Sequence, residues 1–155
     1  MKRVVLAFAA LILVGAGGTL LWSHHRSAAA ETARAEVIGV APMLVEKLLS
    51  YNSDTVDDDL ARAAEGAGGS FQDSFTEFGS KTVAPQSNEQ GISTKARVVD
   101  VGVLSVAADR AEVLVFVDQI TTSAAQPAPA STSSRVEVTL DRVEGTWLVS
   151  AMTPV

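Results

Sequence analysis

The chain has 155 residues and a mass of 16.1 kDa, room for one compact domain and not for two. A net charge of −6 leaves no electrostatic footprint for nucleic acid or an anionic membrane surface, and the lack of cysteine excludes disulfide scaffolds, zinc ribbons, iron–sulfur clusters and thiol nucleophiles. With 47% hydrophobic and 19% charged residues and a mean hydropathy of +0.24, the chain is greasier than a soluble domain of its size, which implies a segment embedded in lipid.

That segment is at the front. Val4 to Trp22 carries no charge and one polar side chain, Thr19. As a helix rising ~1.5 Å per residue it just crosses a bilayer core of ~30 Å. Lys2 and Arg3 precede it, while Trp22, His24, His25 and Arg26 form an interfacial collar behind it. The rival reading is a cleaved signal peptide, with Ala28, Ala29 and Ala30 offering the cleavage site. The length of the apolar run and the charge of Arg26 favour retention. Residues 1–26 are therefore read as a cytoplasmic stub and a signal-anchor helix. Their basic lead puts the N-terminus inside and residues 27–155, with nine basic against 18 acidic side chains, outside the cytoplasmic membrane.

Beyond the anchor the pattern is helical. From Glu31 to Ser50, Val37, Ile38, Ala41, Leu44, Val45 and Leu48 fall on one stripe, with Pro42 inside it predicting a kink or break. Asn52 to Thr55 supply a turn and cap, after which Val56, Leu60, Ala63 and Ala67 predict a second helix ended by Gly66, Gly68 and Gly69. Ser70 is the expected cap of a third helix carrying Phe71, Phe75 and Phe78, and Pro85 to Gly91 is expected to close the helical half.

From Ile92 the period becomes two. Ile92, Thr94, Ala96 and Val98 alternate, then Val99, Val101 and Val103 continue one residue out of step, which predicts a β-bulge near Val98. A turn at Ala108 to Arg110 leads to a strand over Ala111 to Thr122, and two more strands, Ser134 to Val143 and Thr146 to Thr153, are joined at Glu144 and Gly145. The uncharged Ser/Thr/Ala/Pro stretch 121–134 is expected to be a flexible loop. Three helices followed by a bent four-stranded antiparallel sheet define an α+β fold, and by analogy an NTF2-like (cystatin-like) cone.

Chemistry is sparse. Asp57, Asp58 and Asp59 fail the calcium-loop test, since counting from Asn52 puts an aspartate where the loop needs glycine, and they suit the first turn of a helix instead. Both histidines lie against the anchor, so neither a catalytic triad nor a histidine metal cluster can be built in the domain. The glycines lack the spacing and following lysine of a phosphate loop. Tyr51, beside a polar turn, reads as a capping or surface residue. We therefore expect no catalytic residue, cofactor or metal, and no enzyme. The phenylalanines Phe71, Phe75 and Phe78 read either as core or as the lining of a lipid pocket.

Strand 111–122 is apolar on both faces, with Val113, Val115 and Val117 pointing one way and Leu114, Phe116 and Ile120 the other. One face should cover the helices. The other then meets a partner, a lipid or another copy of the domain, unless the sheet curls enough for the chain to cover both.

The run LLSYNSDTVDDDLARAAEGAGGSFQDSFTEF, the strand pair from Ile92 to Ser123 and the closing VEVTLDRVEGTWLVSAMTPV together resemble the Mce-associated membrane proteins of actinobacteria. The resemblance covers the chain from the anchor to the end, apart from the Ser/Thr/Pro loop. It implies a single-pass, non-enzymatic accessory or stabilising protein with Mce complex subunits as partners, in systems for lipid or sterol import. The alternative is a lipid- or sterol-binding domain that uses the interior of the cone.

Overall fold

The computed structural model describes residues 28–155, so the apolar run Val4–Trp22 lies outside the described residues. Among the described residues no helix is long and apolar enough to cross a membrane.

The first helix, α1, occupies residues 28–49 and buries Ala33, Val37, Ala41, Val45 and Leu48 at the i+4 and i+3 spacings of a single face. The buried stripe is narrower than the sequence suggests, because Ile38 is exposed. Helix α1 also runs through Pro42 without the break that was one expected outcome. Proline removes the donor owed to the carbonyl of Ile38 and crowds that turn, but Ile38 is exposed, so the strain and the freed carbonyl fall on the solvent side and not in the core.

A short 3₁₀ turn, Ser53–Thr55, leads into α2, Val56–Ala64. Asp57 and Asp58 favour the helix dipole, whereas Asp59 ties the entry together by accepting from the Asn52 backbone N–H (3.0 Å) and the Thr55 hydroxyl (2.8 Å) and pairing with Arg62. Desolvation pushes the Asp59 carboxyl up, but these three donors outweigh it and hold the pKa below its ordinary 3.8. A depressed folded-state pKa contributes stability that is complete above the unfolded value and disappears as pH falls through the folded one. Asp59→Ala should therefore cost about 1 kcal/mol near neutrality, and its stability should converge on that of the unmodified protein as pH drops below 3.8. Urea melts at pH 7 and pH 3 check this.

The third helical run is longer than expected. Helix α3, Gly69–Phe78, passes through a π-helical stretch, Gly79–Val83, into α4, Ala84–Gln90. Ser70 is not its cap; Gly68 holds that position and Gly69, with φ +58, begins the helix. The helical half closes within the expected segment Pro85 to Gly91, but at its far end: 84–90 are helical, and the run passes Pro85 at the junction of the π-helical stretch and α4. Gly91, in the left-handed conformation, makes the stop.

The sheet has the order β1-β2-β3-β4, all antiparallel: β1 Ser93–Val106, β2 Arg110–Thr122, β3 Ala130–Val143 and β4 Thr146–Pro154. The expected bulge is present as a register shift between Val98 and Asp100, and a second lies between Val103 and Ser105. These shifts keep Val98, Val101 and Val103 on the helix-facing side and expel Val99 and Leu104, both more than half exposed, onto the other. Glu144 and Gly145, both at positive φ, turn β3 into β4.

The stretch 121–134 needs correction as a loop. Thr121 pairs with Ala130 and Asp118 with Ser133, so backbone pairing takes in both ends and leaves 123–129 as the connection. Even that is partly tied, since the Ala124 N–H donates to the Gln90 carbonyl at 2.9 Å. Replacing Pro127-Ala128-Pro129 with one glycine should change stability by less than about 1 kcal/mol, the scale of loop-closure entropy, and a thermal melt will show it.

The core lies between α1 and the inner face of the sheet. Val113, Val115 and Val117 are at most 1% exposed, beside Val136, Val138 and Leu140 of β3 and Val149 of β4. The outer-face residues of β2 remain open, with Phe116 38% and Ile120 48% exposed and Leu114 half-buried.

Candidate functional site

Along three neighbouring strands the inner-face positions change character toward one end. Val113, Val115 and Val117 are followed at the same parity by Gln119, Val138 and Val136 are preceded by Ser134, and Val98 and Ala96 are preceded by Thr94. At that end α1 has finished, and the sheet faces α3, the π-helical stretch and α4 across a cavity of about 640 Å3.

Phe71, Phe75 and Phe78 line its helical wall, with Leu48 and Leu49 from the end of α1 and Leu60 from α2. The Phe71 and Phe75 rings are 6.2 Å apart, tilted at 39° and partly buried against the core, while Phe78 is 59% exposed and stands at the rim. The phenylalanine stripe is thus cavity wall more than core. The π-helical stretch brings Gly79 to the wall with Leu60 against it: a Cβ there would meet the leucine at 3.4 Å. Tyr51 is no surface cap. Its backbone exchanges two hydrogen bonds with Thr94 (2.8 and 2.9 Å), extending the sheet edge, and the residue lines the cavity.

Every residue lining this space is uncharged. Its polar lining is Tyr51, Thr82, Gln86, Thr94, Gln119 and Ser134; the Gln119 and Ser134 side chains make no hydrogen bond among the described residues, whereas Thr94 is committed to Thr121 at 3.2 Å. Such a site can bind an apolar molecule and satisfy one or two hydroxyls; it offers no acid–base pair. Among the described residues no group of His, Asp or Glu is arranged to hold a metal ion.

The sequence partly signals the site. A glutamine at a core-facing position after three valines breaks the pattern of β2 and marks where the packed interior ends. A second cluster carries no such signal: Glu36 of α1 pairs with Arg142 and accepts from Trp147 Nε1 at 2.9 Å, and the Arg142 guanidinium lies 5.1 Å from the Trp147 ring centre. This cluster fastens the upper part of α1 to the β3–β4 hairpin. Of the two sheet faces named from sequence, Val113, Val115 and Val117 are interior, and Leu114, Phe116 and Ile120 lie on the side the helices do not cover.

A bent antiparallel sheet wrapped by helices around an end cavity defines an NTF2-like domain. The same fold is present in an IcmL-like type IV secretion system protein of Legionella pneumophila (TM-score 0.66, 8% identity, 79% of this chain and 93% of that one). It recurs in CagV, a VirB8 homolog of Helicobacter pylori (0.62, 14%, 78% and 97%), and in an NTF2-like protein involved in plasmid conjugation (0.52, 10%, 79% and 49%). No protein-family model matches the chain.

Sequence similarity goes further than fold. The uncharacterized protein Rv1362c of Mycobacterium tuberculosis is 39% identical over 155 residues, covering 98% of this chain and 70% of the relative. Rv1973 of the same organism, named an outer membrane protein, is 38% identical over 146 residues, covering 94% and 91%. The chain belongs to the family that these two mycobacterial proteins represent.

Proposed function

We propose that this protein is a non-enzymatic accessory protein, anchored in the cytoplasmic membrane by Val4–Trp22 with residues 27–155 outside, and that it supports the assembly or stability of an Mce lipid or sterol import system. The observation that carries the docking role is the outer face of the sheet. Phe116, Ile120 and the expelled Val99 and Leu104 are exposed apolar side chains there, with Leu114 half-buried, set among the charged neighbours Arg97, Asp100, Asp118, Arg135 and Glu137, a mixed surface of the kind that meets a protein partner. The Mce assignment is supported by the resemblance of Leu48–Phe78, Ile92–Ser123 and the final hairpin to Mce-associated membrane proteins. The accessory role is further supported by the type IV secretion proteins that share the fold.

Affinity purification of the full chain from its native membrane tests this. Mce subunits should come with it; a preparation that holds a different assembly, or this protein alone, overturns the assignment.

The cavity favours a second reading, a lipid- or sterol-binding domain using the interior of the cone. Its volume of about 640 Å3 and its phenylalanine wall suit one lipid molecule. The two readings are compatible, since a docked domain with a lipid cavity can hand its ligand to a neighbour.

A further inference from the structure

The chemistry of the cavity narrows what it would take. A ligand that enters head-first with a carboxylate or phosphate would find no cation, because the lining contains no lysine, arginine or histidine. Stripping water from such a group without a partner is far costlier than burying a hydroxyl that finds hydrogen bonds. The wall is equally hostile to amines, for it has no carboxylate. Its polar groups are all neutral: on the sheet wall the Gln119 carboxamide and the Ser134 hydroxyl, on adjacent strands at the inner face and without a side-chain hydrogen bond among the described residues, and elsewhere Tyr51, Thr82, Gln86 and Thr94. A carboxamide donates and accepts, as does a serine hydroxyl, and their joint complement is a group that does both, an alcohol. Apart from these neutral polar groups the wall is aliphatic and aromatic and suits an apolar body.

We propose that the cavity holds an uncharged lipid bearing a hydroxyl, its body against Phe71, Phe75 and Phe78 and its hydroxyl between Gln119 and Ser134. The inference rests on the lipid-binding reading of the cavity and specifies the class of ligand. A sterol and a long-chain alcohol share this chemistry and differ in the rigidity of the body.

Equilibrium binding to the full-length protein in amphipol, with radiolabelled cholesterol, oleyl alcohol and oleate as probes, tests it. One neutral ligand per chain is expected, with oleate at least tenfold weaker. Cholesterol alone would identify a fused-ring body, oleyl alcohol alone a flexible one, and either result supports the inference. Gln119→Arg should reverse the preference by giving the carboxylate a partner at the hydroxyl position. Where that variant fails to fold, Ser134→Ala serves instead, with a severalfold loss of neutral ligand and no change for oleate. Oleate binding as tightly as the alcohols would overturn the neutral class while leaving a lipid cavity in place. Failure of all three probes to bind folded protein would remove the lipid-binding reading and the inference with it.

Discussion

A lysine at Val115 is expected to leave the domain unfolded, whereas a lysine one residue later, at Phe116, is expected to leave it folded and stripped of its partner. Val115 is fully buried among the inner-face valines, and an ammonium there has no carboxylate within the core. The uncompensated charge costs several kcal/mol on top of lost packing, against a total stability of roughly 5–15 kcal/mol for a domain. Phe116 is 38% exposed on the other face, opposite Arg135, so its replacement subtracts apolar surface already partly in water. Circular dichroism separates folded from unfolded, and co-purification reads the partner. Loss of folding in both variants would mean that the outer face is part of the core; retention of the partner by folded Phe116→Lys would move the docking surface elsewhere.

Trp147→Ala is the second change with a large expected effect, about 3–5 kcal/mol of stability. The indole is 5% exposed, closes the core at the β3–β4 turn, and donates to Glu36. Its removal opens a cavity and breaks the connection between α1 and the hairpin at once. The Nε of Arg142 is already buried without a partner among the described residues, so that guanidinium has little reserve once Glu36 is free to move. Trp147→Phe keeps most of the packing and loses the 2.9 Å hydrogen bond, for a cost nearer 1 kcal/mol. Thermal melts of the two variants check the ratio, and equal losses would show that the hydrogen bond, not the volume, dominates.

How much of this was legible depends on the range of the interaction. The bulge at Val98 announces itself as a slipped alternation, and the Glu144–Gly145 turn by its residue types, because both are local patterns of backbone geometry. The start of β3 is not legible: Ala130 to Ser133 offers nothing to bury, and what makes it a strand is pairing with β2. The phenylalanines are ambiguous by nature, since an i, i+4, i+7 stripe is the same whether it meets packed side chains or a cavity. Only Gln119, polar at a core-facing position, hints at the second outcome. The Glu36, Arg142 and Trp147 cluster joins residues more than a hundred positions apart, with no periodicity to betray it.

The outer strands of the sheet are occupied by the chain itself. On β1, the Ala96 N–H donates to Ser50 Oγ at 2.9 Å and the Val98 N–H to Glu46 Oε1 at 2.7 Å, so the end of α1 caps donors that would otherwise point at solvent. On β4, Val149 exchanges hydrogen bonds with Gly66 and Gly68 of the α2–α3 connection. A strand arriving from another molecule finds both borders already taken at these positions, and continuation of the sheet from chain to chain is blocked there. At these positions another molecule meets side chains, whose composition can be tuned to a single partner, and not free backbone, which pairs with nearly any extended chain.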